Sequence, residues 1–212
     1  GYGNVTWGVC KKAAELGAKV VTISGSDGYV YDPDGISGEK VDYLLYMRDH
    51  NTGAKAYVEK YPTATFYPKE KPWGKVPDVD IYMPCATQNE ISLEEAKAIV
   101  AQGVEYVIEV SNMPCTNDAI EYMMQNGVVM APSKAVNAGG VAVSALEMSQ
   151  NSQRMLWTAE EVDQRLSDIM KGIHDNAAAA AEQYGLGYNL MAGANLAGFE
   201  KVARAMYQMG VI

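Results

Sequence analysis

Short β-branched runs alternate with amphipathic helical stripes from the amino terminus to about residue 130, and no other feature narrows the possible folds as much. After Gly1-Tyr2-Gly3, apolar Val5, Val9, Ala13 and Leu16 recur at helical spacing until Gly17, which predicts a helix from about Asn4. Residues 18–23 (AKVVTI) read as a buried strand closed by the turn Ser24-Gly25-Ser26-Asp27-Gly28, and residues 29–31 as a small extra strand. Helical patterns near 38–50 and 54–60 precede strands expected at 63–67, 78–83 and 106–110. Ser92-Leu93-Glu94-Glu95 is a capping box that opens a helix, 117–125 is a further helix, and 128–130 is a short strand. Beyond Ala138 the pattern is helical, with a second capping box at Thr158-Ala159-Glu160-Glu161 and a final helix over 192–209.

Strands separated by helices of this size imply parallel pairing through crossover helices, with ligands at the carboxyl ends of the strands. The expected fold is therefore α/β: a Rossmann-type, mostly parallel sheet with flanking helices, followed by a helical C-terminal tail. Residues 1–140 are expected to form a dinucleotide-binding domain and residues 141–212 a helical segment. Because the chain opens on a motif that normally follows a strand, the first strand of the fold is expected to be missing. Its two neighbours would then be left with unpaired edges.

Hydrophobic residues make up 48% of the 212, enough to bury a substantial core. The formal charge of -9 is spread along the sequence, which argues against nucleic acid or an anionic membrane surface as partner and favours small molecules and other proteins. Cys10, Cys85 and Cys115 lack both an even count and metal-ligand spacing, so they read as reduced structural thiols, and no metal site is expected. With no signal peptide and no membrane-spanning apolar run, a cytoplasmic location is expected.

Gly1-x-Gly3 ahead of a helix suits a dinucleotide pyrophosphate, since absent side chains permit close backbone approach and the helix start presents free N–H groups. The third motif position is Thr6 rather than glycine, which weakens the signal. At the tip of the second strand of such a fold a carboxylate usually accepts from the adenosine ribose. Here Asp27, Asp32 and Asp34 are acidic and no Lys or Arg occurs from Val20 to Glu39, which leans toward NAD over NADP unless a distant cation folds back. The loop Met83-Pro84-Cys85-Ala86-Thr87-Gln88-Asn89 and the similar Ser111-Asn112-Met113-Pro114 carry uncharged groups able to orient a ribose or carboxamide. Asn137-Ala138-Gly139-Gly140 permits close backbone approach to a ligand or another element, with helix entry capped by Asn137 as the plainer alternative. His50, His174, Trp73, Trp157 and the methionines are expected to serve surface or packing roles.

Taken in order, the stretches GYGNV (1–5), MPCATQNEI (83–91), EVSNMP (109–114), APSKAVNAGGV (131–141), EMSQNSQRMLW (147–157) and YNLMAGANLAGF (188–199) resemble the glutamate dehydrogenase family along the entire chain. The resemblance implies a homohexameric oxidoreductase that interconverts L-glutamate with 2-oxoglutarate and ammonia by hydride transfer to NAD, favoured, or NADP. It assigns Gly1, Gly3, Asn4 and Val5 to the pyrophosphate, and Ser24, Gly25, Ser26 and Asp27 to the neighbourhood of the adenosine ribose. Ala86, Thr87, Gln88 and Asn112 would follow the nicotinamide ribose, with Asn137 near the carboxamide and substrate. Val141 and Ser144 would close on the glutamate side chain and its distal carboxylate. The family's catalytic lysines and aspartate belong to an N-terminal domain outside this chain; Lys134 is not one of them, so the chain alone is expected to be inactive. A leucine- or phenylalanine-type amino-acid dehydrogenase, or a non-catalytic nucleotide-binding module, are the alternative readings.

Overall fold

The computed structural model describes residues 1–210, which group into two compact units, Gly1–Val128 and the residues from Val129 onward. The first unit begins with α1 (Asn4–Glu15), whose N-cap Gly3 is extended and whose first turn carries no acid. Gly17, at a φ of 85°, ends that helix at the expected place. β1 (Thr22–Gly25) and β2 (Gly28–Tyr31) form a hairpin closed by Ser26 and Asp27, with Gly25 paired to Gly28. α2 (Glu39–Asp49) and α3 (Lys55–Lys60) then lead to β3 (Thr65–Pro68), which pairs antiparallel with β2 and stacks Tyr67 on Tyr29 at 4.6 Å. Val41, Leu44 and Met47 recur on one face of α2 and join Cys10, Ile23, Val30 and Tyr57 in the core of this half. Each such large apolar side chain contributes roughly 1.5–3 kcal/mol on burial.

The parallel pairing falls to β4 (Ile81–Tyr82) and β5 (Tyr106–Ile108), joined by α4 (Leu93–Gln102), with Ile81 opposite Tyr106 and Tyr82 opposite Val107. α5 (Asn117–Gln125) packs on α4 and buries Ala119 and Met123. The fold class is thus α/β with a parallel pair and flanking helices, to which β1–β3 add an antiparallel meander. Sequence alternation does not announce that meander, because a two-residue turn forces β1 and β2 antiparallel whatever the helices around them do. Among the described residues β1 and β4 do not pair with each other. A groove of about 510 Å³ runs between residues 18–24 and residues 78–83, with Thr6 and Cys10 of α1 also lining it.

The second unit opens with β6 (Val129–Ala131) and α6 (Ser133–Val136), followed by α7 (Ala138–Gln153), α8 (Ala159–Gln183) and α9 (Leu190–Met209). The Thr158 capping box forms as read: Thr158 N donates to Glu161 Oε2 at 2.8 Å, and Glu161 N to Thr158 Oγ1 at 3.2 Å. Gly193 lets α9 lie directly against α8, since a Cβ there would stand 1.9 Å from the carbonyl oxygen of Ala177. No helix among the described residues is long and apolar enough to cross a membrane.

Candidate functional site

Three carboxyl-end segments and the start of α1 enclose a cleft of about 740 Å³ in the first unit. The turn Gly1–Gly3 is held to the end of β1 from both sides: Gly1 N donates to Ser24 Oγ at 3.0 Å and Ser24 N donates to Gly1 O at 3.3 Å. Gly1 and Gly3 differ in what they leave room for. A Cβ on Gly1 would lie 2.7 Å from Thr6 Oγ1, so the hydroxyl that replaces the motif's third glycine is accommodated beneath the first. A Cβ on Gly3 would meet no protein atom within 4 Å. Gly3 therefore borders open cleft beside an uncapped helix start, whose free N–H groups favour an anion.

The cleft brings together Gly1, Gly3, Asn4, Val5, Ser24, Gly25, Ser26, Ala86, Thr87 and Gln88 from the residues singled out in the sequence. Gly25 is required for a further reason, because a Cβ there would stand 2.2 Å from Tyr2 Cε1. Asp27 lies at the same tip but does not line the cleft. Its Oδ2 accepts from Ala54 N at 2.8 Å, which fixes the β1–β2 turn against the start of α3. Asp32 is buried and bound to Lys40 and Tyr57, so it faces the core. Asn112 is exposed in the β5–α5 loop and does not line the cleft, although that loop is tied to the β4–α4 loop where Asn89 N donates to Met113 O at 3.0 Å. In the second unit Asn137, Val141 and Ser144 follow one face of α7 at intervals of four and three and are all exposed. Asn137 is the N-cap residue but makes no side-chain cap bond, so its carboxamide is not consumed by helix entry.

Sequence reading passed over two contributors. The loop carrying Lys69, Pro72 and Trp73 forms one wall of the cleft, and Glu90 closes another. The first was discoverable from its place just after a strand, the position that ligands favour in such folds. Burial pushes the Glu90 carboxyl above the usual range, opposed by the Gly1 amine and the amides of Ala86 and Thr87.

The remaining titratable candidates have quieter roles. Burial raises Cys10 to about 12 and Cys85 to about 11, and raises Cys115 as well, so all three unpaired thiols stay protonated and poorly nucleophilic. His50 stacks on Tyr46 and His174 sits between Asp175 and Tyr188, both at the surface. Lys134 is held by Asn195. No group of three or more metal-ligating side chains occurs among the described residues.

A family model described as glutamate/leucine/phenylalanine/valine dehydrogenase matches residues 1–210. NAD-specific glutamate dehydrogenase of Clostridium symbiosum is 59% identical over 214 residues, covering 100% of this chain and 47% of the relative. NADP-specific glutamate dehydrogenase of Giardia intestinalis is 46% identical, covering 100% of this chain and 48% of the relative. Among solved structures, glutamate dehydrogenase of Plasmodium falciparum superposes with a TM-score of 0.94 at 43% identity, covering 100% of this chain and 45% of that one. The chain spans about half the length of the curated relatives it matches.

Proposed function

The chain belongs to the glutamate/leucine/phenylalanine/valine dehydrogenase family, and from that premise we propose that it is the cofactor-binding part of a glutamate dehydrogenase that converts L-glutamate to 2-oxoglutarate and ammonia, reversibly. The observation that carries the cofactor role is the combination at Gly3: open space where a side chain would be, next to uncapped amides. A dinucleotide pyrophosphate fits that cradle. The α1 amides beside Gly3, Asn4 and Val5 would hold it, and Ser24, Gly25 and Ser26, stiffened from behind by Asp27, would meet the adenosine ribose. Ala86, Thr87, Gln88 and Asn112 would orient the nicotinamide ribose, and Asn137 the carboxamide. The α7 face with Val141 and Ser144 is proposed to meet the glutamate side chain and distal carboxylate.

The bound nicotinamide would supply the hydride acceptor. This chain's own part is to bind, orient and exclude water. Deprotonating the substrate amine needs an acid–base group beside the reacting carbon, and the buried neutral thiols and surface histidines do not offer one. That chemistry is assigned to the part of the relatives' length that this chain does not span. Homohexameric assembly and a cytoplasmic setting belong to the same proposal, the latter supported by three unpaired thiols.

Calorimetric titration of the 212-residue chain with NADH tests the reading. Binding is expected, and Gly3→Val should abolish it while leaving the unfolding transition in place, because the new side chain meets only the cleft. Glutamate oxidation with NAD or NADP should be absent. Measurable turnover would refute the assignment of chemistry elsewhere, and unchanged NADH binding by the Val variant would refute the cradle.

A further inference from the structure

One cation on the cleft wall is unused by the reading above. β3 ends at Pro68 opposite Gly28, and the next amide, Lys69 N, donates to Asp27 O at 2.8 Å. Lys69 is thereby pinned across from the β1–β2 tip and lines the cleft with Ser24, Gly25, Ser26 and Gly28. The other charged residues that line the cleft beside it, and Arg48 at Asn4, have partners of their own. Glu70 pairs with Lys75 at 2.6 Å, while Lys71 Nζ donates to Glu90 O at 2.8 Å and lies 3.4 Å from Glu95 Oε1. Arg48 is bound to Asp49 and to Asn4. Of the tip's own acids, Asp32 is bound to Lys40 and Tyr57, while Asp27 accepts from the Ala54 amide through Oδ2 and keeps Oδ1 buried behind Gly25. Among the described residues no carboxylate lies within ion-pair distance of the Lys69 ammonium.

We infer that Lys69 is a specificity-determining residue of the cofactor cleft: its ammonium receives a 2′-phosphate on the adenosine ribose, so the site accepts NADP as well as NAD. The inference rests on the cofactor reading of the cleft. The stretch from Val20 to Glu39 holds no cation, but β3 returns one from a distance to the place where a 2′-phosphate would stand. Asp27 is held toward Ala54 with its Oδ1 buried, so the tip presents no carboxylate oxygen to the cleft lining. Lys69 also occupies left-handed backbone, at a φ of 57°, where glycine fits without cost. Lys69→Gly consequently removes the charge without straining the turn.

Calorimetric titration of the unsubstituted chain, Lys69→Gly and Lys69→Arg with adenosine 2′,5′-bisphosphate and adenosine 5′-monophosphate separates the possibilities. Lys69→Gly should weaken the bisphosphate about two- to fivefold, the scale of an exposed charge pair, and leave the monophosphate unchanged. Lys69→Arg should retain the preference, and added salt should narrow it in the unsubstituted chain. Parallel loss of both ligands, or no loss of either, in Lys69→Gly overturns the role of Lys69 while leaving the cleft assignment standing. Failure of the unsubstituted chain to bind either ligand overturns the cleft assignment and this inference with it.

Discussion

Gly1 and Gly3 look interchangeable in a motif, yet they answer to different neighbours. Gly1 is glycine because Thr6 stands beneath it; Gly3 has no such neighbour, and its missing side chain is accounted for by space kept for a ligand. That distinction depends on which atoms fold back onto the turn, so it was not readable from spacing, and neither was the capture of Asp27 by the amide of Ala54. Glu90 belongs to the same class of residue. Its Oε1 is buried without a hydrogen-bond partner, and burial raises its folded-state pKa above the unfolded value. A carboxyl with a raised folded pKa contributes stability that is fully present below the unfolded pKa and is lost as pH rises through the folded pKa. Glu90→Gln cannot ionise, so its stability relative to the unsubstituted chain should increase from acidic pH toward neutrality. Urea unfolding of both proteins across that range measures the difference; a gap that stays constant with pH would show that Glu90 titrates alike folded and unfolded.

At the scale of elements, the helices were the most legible part because their ends are written locally. The box at Ser92 starts α4, where Ser92 N donates to Glu95 Oε2 at 2.9 Å, and left-handed Gly103 stops it. Of the region read as a strand at 78–83, Ile81 and Tyr82 form the ladder and Asp80 O accepts from Glu105 N and Tyr106 N beside it, and the strand read at 63–67 joins an antiparallel meander, since pairing depends on which distant edge is available. One link in that meander is a buried ionic node. Asp32, fully buried just after β2, accepts from Lys40 Nζ at 2.7 Å, from Tyr57 OH at 2.6 Å and from Asp34 N at 3.0 Å. It therefore ties the β2–α2 loop to both α2 and α3. Lys40→Met should destabilise the first unit by about 3–5 kcal/mol, because the carboxylate stays buried after its counter-charge has gone. Chemical denaturation followed by tyrosine and tryptophan fluorescence reads this directly, and a loss below about 1 kcal/mol would mean that water reaches Asp32 and the node contributes little.

At the scale of the whole molecule, the balance between net charge and exposed apolar surface sets how the 212-residue chain behaves in solution. Phe199, Val202, Met206 and Met209 recur at three- and four-residue intervals on α9, and they are 68%, 58%, 45% and 77% exposed, so this stripe is not part of a core. A helix in water does not ordinarily carry its periodic apolar face outward, and such a patch promotes association. Opposing that tendency is the formal charge of -9, whose repulsion acts over roughly 10 Å in 0.1 M salt and over less as salt rises. Weight-average mass from sedimentation should therefore grow with ionic strength, and a dye that reports exposed apolar surface should bind the native protein. The double substitution Phe199→Ser with Met206→Ser should lower both signals while keeping helical content, since these side chains are 68% and 45% exposed. A chain that stays monomeric at high salt and binds no dye would show that the α9 stripe is covered in solution.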